Sequence, residues 1–108
     1  MESSANKKMV ILSIPEIQGI VAEYFKDKPI KSVYLFGSYA RGEAKSKSDI
    51  DLLISLFENS KITYFTLGGY LYDLQNLFLK KVDLVHEKAI KPFLEKNIED
   101  EKLLLVSK

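Results

Sequence analysis

Two carboxylates open one of the apolar runs of this chain. In the stretch LFGSYARGEAKSKSDIDLLISL, Leu35 to Leu56, Asp49 and Asp51 stand one residue apart at the head of DIDLLISL. On a strand, side chains i and i+2 leave the same face, so the two acids point together with Cβ atoms ~7 Å apart. Leu52, Leu53 and Ile54 follow, and the strand reads as buried on both faces. Adjacent carboxylates in such a setting are costly unless something positive binds them. A divalent cation is the simplest partner, and oxygen-only ligands with open positions suit Mg²⁺ or Mn²⁺.

The residues ahead of the acids supply a complementary site. IKSVYLF, Ile30 to Phe36, is rich in β-branched and aromatic residues and reads as a strand that ends at Gly37. Gly37 to Ser48, twelve residues of glycine, serine and lysine, have room for one helical turn at Ser38 to Arg41 and no more. A glycine lets the backbone approach a ligand, and successive N–H groups at a turn form an anion cradle. The Ser38 hydroxyl can donate to a phosphate oxygen. Arg41 is the one arginine among 16 cationic residues, and its guanidinium can fork onto a phosphate. So Gly37, Ser38 and Arg41 are expected to bind a polyphosphate whose metal Asp49 and Asp51 hold.

A third acid completes the set. KKVDLVH contains a short strand, Val82 to Val85, with Asp83 between Val82 and Leu84 in an apolar setting. If that strand lies beside the second, Asp83 joins the pair. Three carboxylates would hold two metal ions ~3.5–4 Å apart, the clamp used for phosphoryl and nucleotidyl transfer.

The rest of the chain reads as packing. SIPEIQGIVAEYFKDK is a helix: Ser13 caps it, Glu16 completes a capping box, and Pro15 sits in the first turn. Ile17, Ile20, Val21, Tyr24 and Phe25 form its apolar face. A second helix spans about residues 63–80, with Leu67, Leu71, Leu74, Leu77 and Phe78 as its stripe. Gly68 and Gly69 weaken it by ~1 kcal/mol each, so either it starts after them or something packs closely there. Tyr64, Phe65, Tyr70 and Tyr72 are more aromatics than one buried face holds, and some are expected on a partner surface. A last helix fits KPFLEKNIED, with Phe93, Leu94 and Ile98 on one side. Leu103 to Val106 reads as an edge strand or the end of that helix. His86 reads as structural, and Lys45 and Lys47 as solvated loop charges. The expected class is α+β, a small mixed β-sheet with helices packed on it.

Composition narrows the functions. The 108 residues suit a single domain, with residues 1–8 as a loose N-terminus and 9–108 as the domain. A net charge of +1 offers no strong field for nucleic acid or an anionic membrane. The absence of cysteine excludes disulfides, thiolate zinc sites and a cysteine nucleophile. Met9 to Ile14 is too short for a signal segment, and no run reaches the ~20 residues of a membrane span. The expectation is a cytoplasmic protein.

GSYARGEAKSKSDIDLLI resembles the G-S, ten residues, D-x-D signature of the polymerase-β-like nucleotidyltransferases. KKVDLVHEKAIKP resembles the third-carboxylate strand of their minimal, MntA-like members, and the likeness covers about Ile30 to Ile98. The resemblance implies that Gly37 and Ser38 cradle phosphate. It implies that Asp49, Asp51 and Asp83 bind Mg²⁺, with Asp83 also taking the acceptor's proton. Arg41 matches the family's frequent A-R-G and would have a supporting role. The donor would be ATP. The acceptor would be a tyrosine of a HEPN-type toxin held in a hetero-oligomer, with this chain as the antitoxin. Two other functions are open to such a sequence: masking the toxin by contact alone, or adenylylating a small molecule such as an aminoglycoside. The chain has no room for the second domain that larger members use, and it lacks a template-binding domain and a basic groove for nucleic acid.

Overall fold

Ser13 starts the first helix in the way its neighbours dictate. Its backbone N–H donates to the Glu16 carboxylate at 2.9 Å, and its hydroxyl accepts from the Glu16 N–H at 3.2 Å. The resulting helix α1 spans Ile14–Phe25, with Pro15 in its first turn. In the computed structural model, which describes residues 10–89, 98 and 100–108, five further principal elements follow α1 up to the 3₁₀ turn Glu87–Ala89. They are strand β1 (Ser32–Phe36), the single helical turn α2 (Gly37–Ala40), β2 (Ile50–Ser55), α3 (Tyr64–Phe78) and β3 (Val82–His86). Strand β4 (Leu103–Ser107) ends the chain's regular structure. The expectations for residues 1–8 and for a helix over KPFLEKNIED fall largely outside the described residues.

The four strands form one mixed sheet in the order β3-β2-β1-β4. β1 pairs antiparallel with β2 and with β4, and β2 pairs parallel with β3. The parallel pair needs a crossover, which α3 supplies. Leu103 to Val106 is therefore the edge strand of the two readings the sequence allowed, and its ladder to β1 shifts register between Val33 and Tyr34.

One face of the sheet carries the core. Ile17, Val21 and Phe25 of α1 and Leu74 and Phe78 of α3 are buried against Val33, Leu35, Ile50, Leu52 and Ile54. Alternation sends Asp51, Leu53 and Ser55 to the opposite face. Leu53 and Ser55 are buried there too, so β2 is covered on both sides beyond its first acid, as the sequence indicates.

The aromatic crowding on α3 resolves by helical phase. Tyr70 is only 7% exposed and stacks edge-on against Phe25 and Tyr24, at centroid distances of 5.6 and 6.0 Å. The Tyr24 hydroxyl donates to Asp73 at 2.6 Å and ties the two helices. Tyr64, Phe65 and Tyr72 are 88%, 83% and 68% exposed. Leu77, expected in the buried stripe, is exposed as well, because the buried phase runs through Tyr70, Leu74 and Phe78. The helix passes through Gly68 and Gly69 without a close neighbour at either, so no tight packing demanded them. Among the described residues, no helix is long and apolar enough to cross a membrane.

Candidate active site

The strand register brings the acids together. In the parallel β2–β3 pair, Asp51 stands opposite Asp83. Three contacts fix that register. The Ile50 N–H donates to the Lys81 carbonyl at 3.0 Å, and the Val82 N–H donates to the Gln75 side-chain carbonyl at 3.1 Å, tying β3 to α3. Lys80 reaches back to donate to the Ser46 carbonyl at 2.6 Å, which holds the loop ahead of Asp49 against the end of α3. Asp49 itself lies one residue before β2, with the Lys81 ammonium 3.9 Å from its carboxylate.

Gly37 closes on Asp51 from the other side. It begins α2 with φ +76°, a conformation that L side chains rarely adopt. A Cβ at this position would lie 2.1 Å from Asp51 Oδ2. Gly37 is thus required twice, by its backbone angle and by the carboxylate packed on its Cα. Ser38 follows in the same turn, and its carbonyl accepts the Glu43 N–H at 2.9 Å. Gly42, at φ +74°, turns the chain after Arg41 with open space around it.

The electrostatics follow from this crowding. The Asp51 carboxyl is pushed up to about 7, first by burial, then by the hydrogen bond and charge of Asp83 and by the charge of Asp49, with Arg41 pulling the other way. A carboxylate pair that keeps a proton near neutrality in order to sit together is the donor chemistry that a hard divalent cation satisfies. As they stand, no three His, Asp or Glu side chains among the described residues are gathered closely enough to form a metal site. The structure shows the Asp51–Asp83 pair and a nearby Asp49, a donor set of the right chemistry rather than a finished cage.

Two placements differ from the sequence reading. Asp83 does not lie in an apolar setting: β3 is an edge strand, and its outward residue is exposed. Arg41 is held by two glutamates. Its Nε donates to Glu43 at 2.9 Å, and its Nη1 donates to Glu101 at 3.1 and 3.4 Å. Glu101 also accepts the Gly37 N–H at 3.2 Å. Sequence spacing gives no sign of Glu101, which is 64 residues from Gly37 and reaches it because β4 pairs with β1. The His86 Nδ1 accepts the Lys88 N–H at 2.9 Å.

A cleft of about 550 Å³ opens beside Asp49, between the loop ahead of β2 and the C-terminal end of α3. Ser46, Lys47, Ser48, Asn76 and Lys81 line it with Asp49. Gly37 and Arg41 lie on the β1 side. Of the three acids, Asp49 lines the cleft, and Asp51 and Asp83 do not.

Residues 14–105 match the nucleotidyltransferase domain family. The chain belongs to that family. As a nucleotidyltransferase it has relatives of its own length. A Methanocaldococcus jannaschii protein, MJ0128, named as a candidate protein adenylyltransferase, is 42% identical over 95 residues, which cover 82% of this chain and 94% of that protein. The protein adenylyltransferase MntA of Thermococcus cleftensis is 34% identical over 95 residues, 83% of this chain and 93% of MntA. Among solved structures, a toxin–antitoxin complex with AMP-PNP contains a chain that superimposes with a TM-score of 0.73 at 20% identity, covering 84% of this chain and 73% of that one. A chain from the complex of a tri-AMPylated Shewanella oneidensis HEPN toxin with its MNT antitoxin gives 0.68 at 18% identity, over 87% and 72%. Both share the fold, that of a minimal, MntA-like nucleotidyltransferase.

Proposed function

We propose that this nucleotidyltransferase moves AMP from magnesium-bound ATP to a tyrosine hydroxyl of a HEPN-type toxin, in the cytoplasm and within a hetero-oligomer, and so acts as its antitoxin. The observation that carries this reading is the pairing of Asp51 with Asp83 directly beneath the bare Cα of Gly37. The names of the adenylyltransferase relatives and the solved toxin–antitoxin complexes support the reaction class and the partner.

Each residue then has a task. The Gly37 N–H, the Ser38 hydroxyl and Arg41 bind the outer phosphates, which leave as pyrophosphate. Asp49, Asp51 and Asp83 are the residues that would hold magnesium, which supplies charge neutralisation at the phosphates. In-line attack on the α-phosphorus places the tyrosine oxygen opposite the leaving pyrophosphate, on the Asp83 side of the acids. The tyrosine oxygen bonds to the α-phosphorus as the bond to the bridging oxygen of the pyrophosphate breaks. Asp83 takes the phenolic proton, and its exposure on an edge strand suits a base that must meet another protein's hydroxyl.

The exposed aromatics Tyr64, Phe65 and Tyr72 give a reason to keep a second reading, neutralisation by contact alone. Co-expression with a HEPN partner separates the two. Intact mass spectrometry of that partner should show added AMP residues with the wild-type chain and none with Asp51→Asn. Neutralisation by Asp51→Asn equal to wild type, with an unmodified partner, would favour masking and contradict the catalytic reading.

A further inference from the structure

The donors that would receive a phosphate are already engaged by an anion belonging to the chain. Glu101 Oε1 accepts from the Gly37 N–H at 3.2 Å and from Arg41 Nη1 at 3.1 Å, and Oε2 lies 3.4 Å from the same nitrogen. One oxygen thus bridges a backbone N–H and a guanidinium, the pairing that a phosphate oxygen would make. The contact is long-range: Glu101 stands just before β4, and Gly37 just after β1. Its side chain is three-quarters buried, so the carboxylate is seated at the site and not merely swinging past it.

We propose that Glu101 is the resting occupant of the phosphate cradle, and that nucleotide binds by displacing it. This inference rests on the nucleotide reading above and adds what sets the affinity. Without nucleotide, the carboxylate satisfies the Gly37 N–H and neutralises Arg41. When the polyphosphate arrives, it takes both donors and returns Glu101 to water, so each binding event is an exchange of one anion for another. Glu43, which accepts from Arg41 Nε, can stay in place during the exchange and keep the guanidinium oriented.

A purely structural role for Glu101 makes the opposite forecast. If the carboxylate only braces the cradle, its removal loosens Gly37 and Arg41 and weakens nucleotide binding. If it competes for the cradle, its removal strengthens binding even though the fold loses a contact. The test measures binding of a non-hydrolysable ATP analogue, with and without magnesium, alongside the melting temperature. Wild type, Glu101→Gln and Glu101→Asp are compared. The Gln variant keeps the shape and loses the charge, and the Asp variant keeps the charge but is one methylene too short to bridge both donors.

Both variants should bind the analogue about tenfold more tightly than wild type, equivalent to ~1.4 kcal/mol. Both should also melt at a lower temperature, which shows that the tightening does not come from a firmer fold. Unchanged or weaker binding in both variants overturns the inference. Tightening in the Gln variant alone would assign the effect to long-range charge and also overturn it. If none of the three proteins binds the analogue, the nucleotide reading itself fails and this inference falls with it. Wild type that binds beside variants that bind no better removes this inference alone.

Discussion

Replacing Gly37 by alanine adds one methyl group where two penalties coincide. The first is conformational: at φ +76° a non-glycine residue costs ~1–2 kcal/mol. The second is steric. The new Cβ would sit 2.1 Å from Asp51 Oδ2, 2.9 Å from its Cγ and 3.3 Å from its Cβ. Carbon contacts settle at ~3.5–4.0 Å, so the Asp51 carboxylate has to rotate away from Asp83. Gly42 is a matched control, because Gly42→Ala meets the same backbone penalty at φ +74° with nothing within 4 Å. Gly42→Ala should therefore lose ~1–2 kcal/mol, read as roughly 4–8 °C of melting temperature per kcal/mol for a domain of this size. Gly37→Ala should lose that amount plus a further ~1–3 kcal/mol of overpacking. The difference in AMP transfer should be larger. Displacing a reacting group by ~1 Å can cost about 100-fold, so Gly37→Ala should fall by that order while Gly42→Ala stays within a few-fold of wild type. Thermal melts and intact-mass assays on the two variants provide the comparison. Equal stability losses together with equal activities would refute the claim that Gly37 is needed to seat Asp51.

Further outcomes follow from the same contacts. The Asp51 carboxyl titrates at about 7 in the folded chain, above its ordinary range, so it favours the folded state most below ~4. That contribution should fade as pH rises from ~4 through ~7, and denaturant melts in a chelator should show Asp51→Asn flattening this part of the pH profile. The Tyr39 hydroxyl is buried without a hydrogen-bond partner among the described residues. Tyr39→Phe should accordingly raise stability by about 1 kcal/mol in a urea titration. On α3, Tyr70→Ala should destabilise by ~3–5 kcal/mol, whereas Tyr72→Ala should stay within about 0.5 kcal/mol of wild type.

Much of this site was legible because its parts are local. Gly37 and Ser38 end one apolar run, and Asp49 and Asp51 open the next, so a turn and a hairpin-like return bring them close without knowledge of the whole fold. Asp83 required one more step, that a helix the length of α3 can return the chain parallel to β2, and the register then placed it opposite Asp51. What stayed hidden depends on long-range pairing. Glu101 reaches Gly37 only because β4 docks on the free edge of β1, and no local pattern announces which strand β4 will choose. The exposure of Asp83 was hidden for the same reason, since Val82 and Leu84 look alike on an edge strand and on a central one. Helical phase separated Tyr70 from Tyr72 and put Leu77 outside, and both are visible once Leu74 and Phe78 are taken as the buried line instead of every leucine.

The central claim is that Asp51 and Asp83, side by side beneath Gly37, serve one magnesium–nucleotide site. Calorimetric titration of ATP tests it most directly. Wild type should take up ATP saturably with magnesium and far more weakly in a chelator, and both Asp51→Asn and Asp83→Asn should lose the magnesium-dependent part. Uptake of equal strength with and without magnesium, or uptake unchanged in both variants, would contradict it.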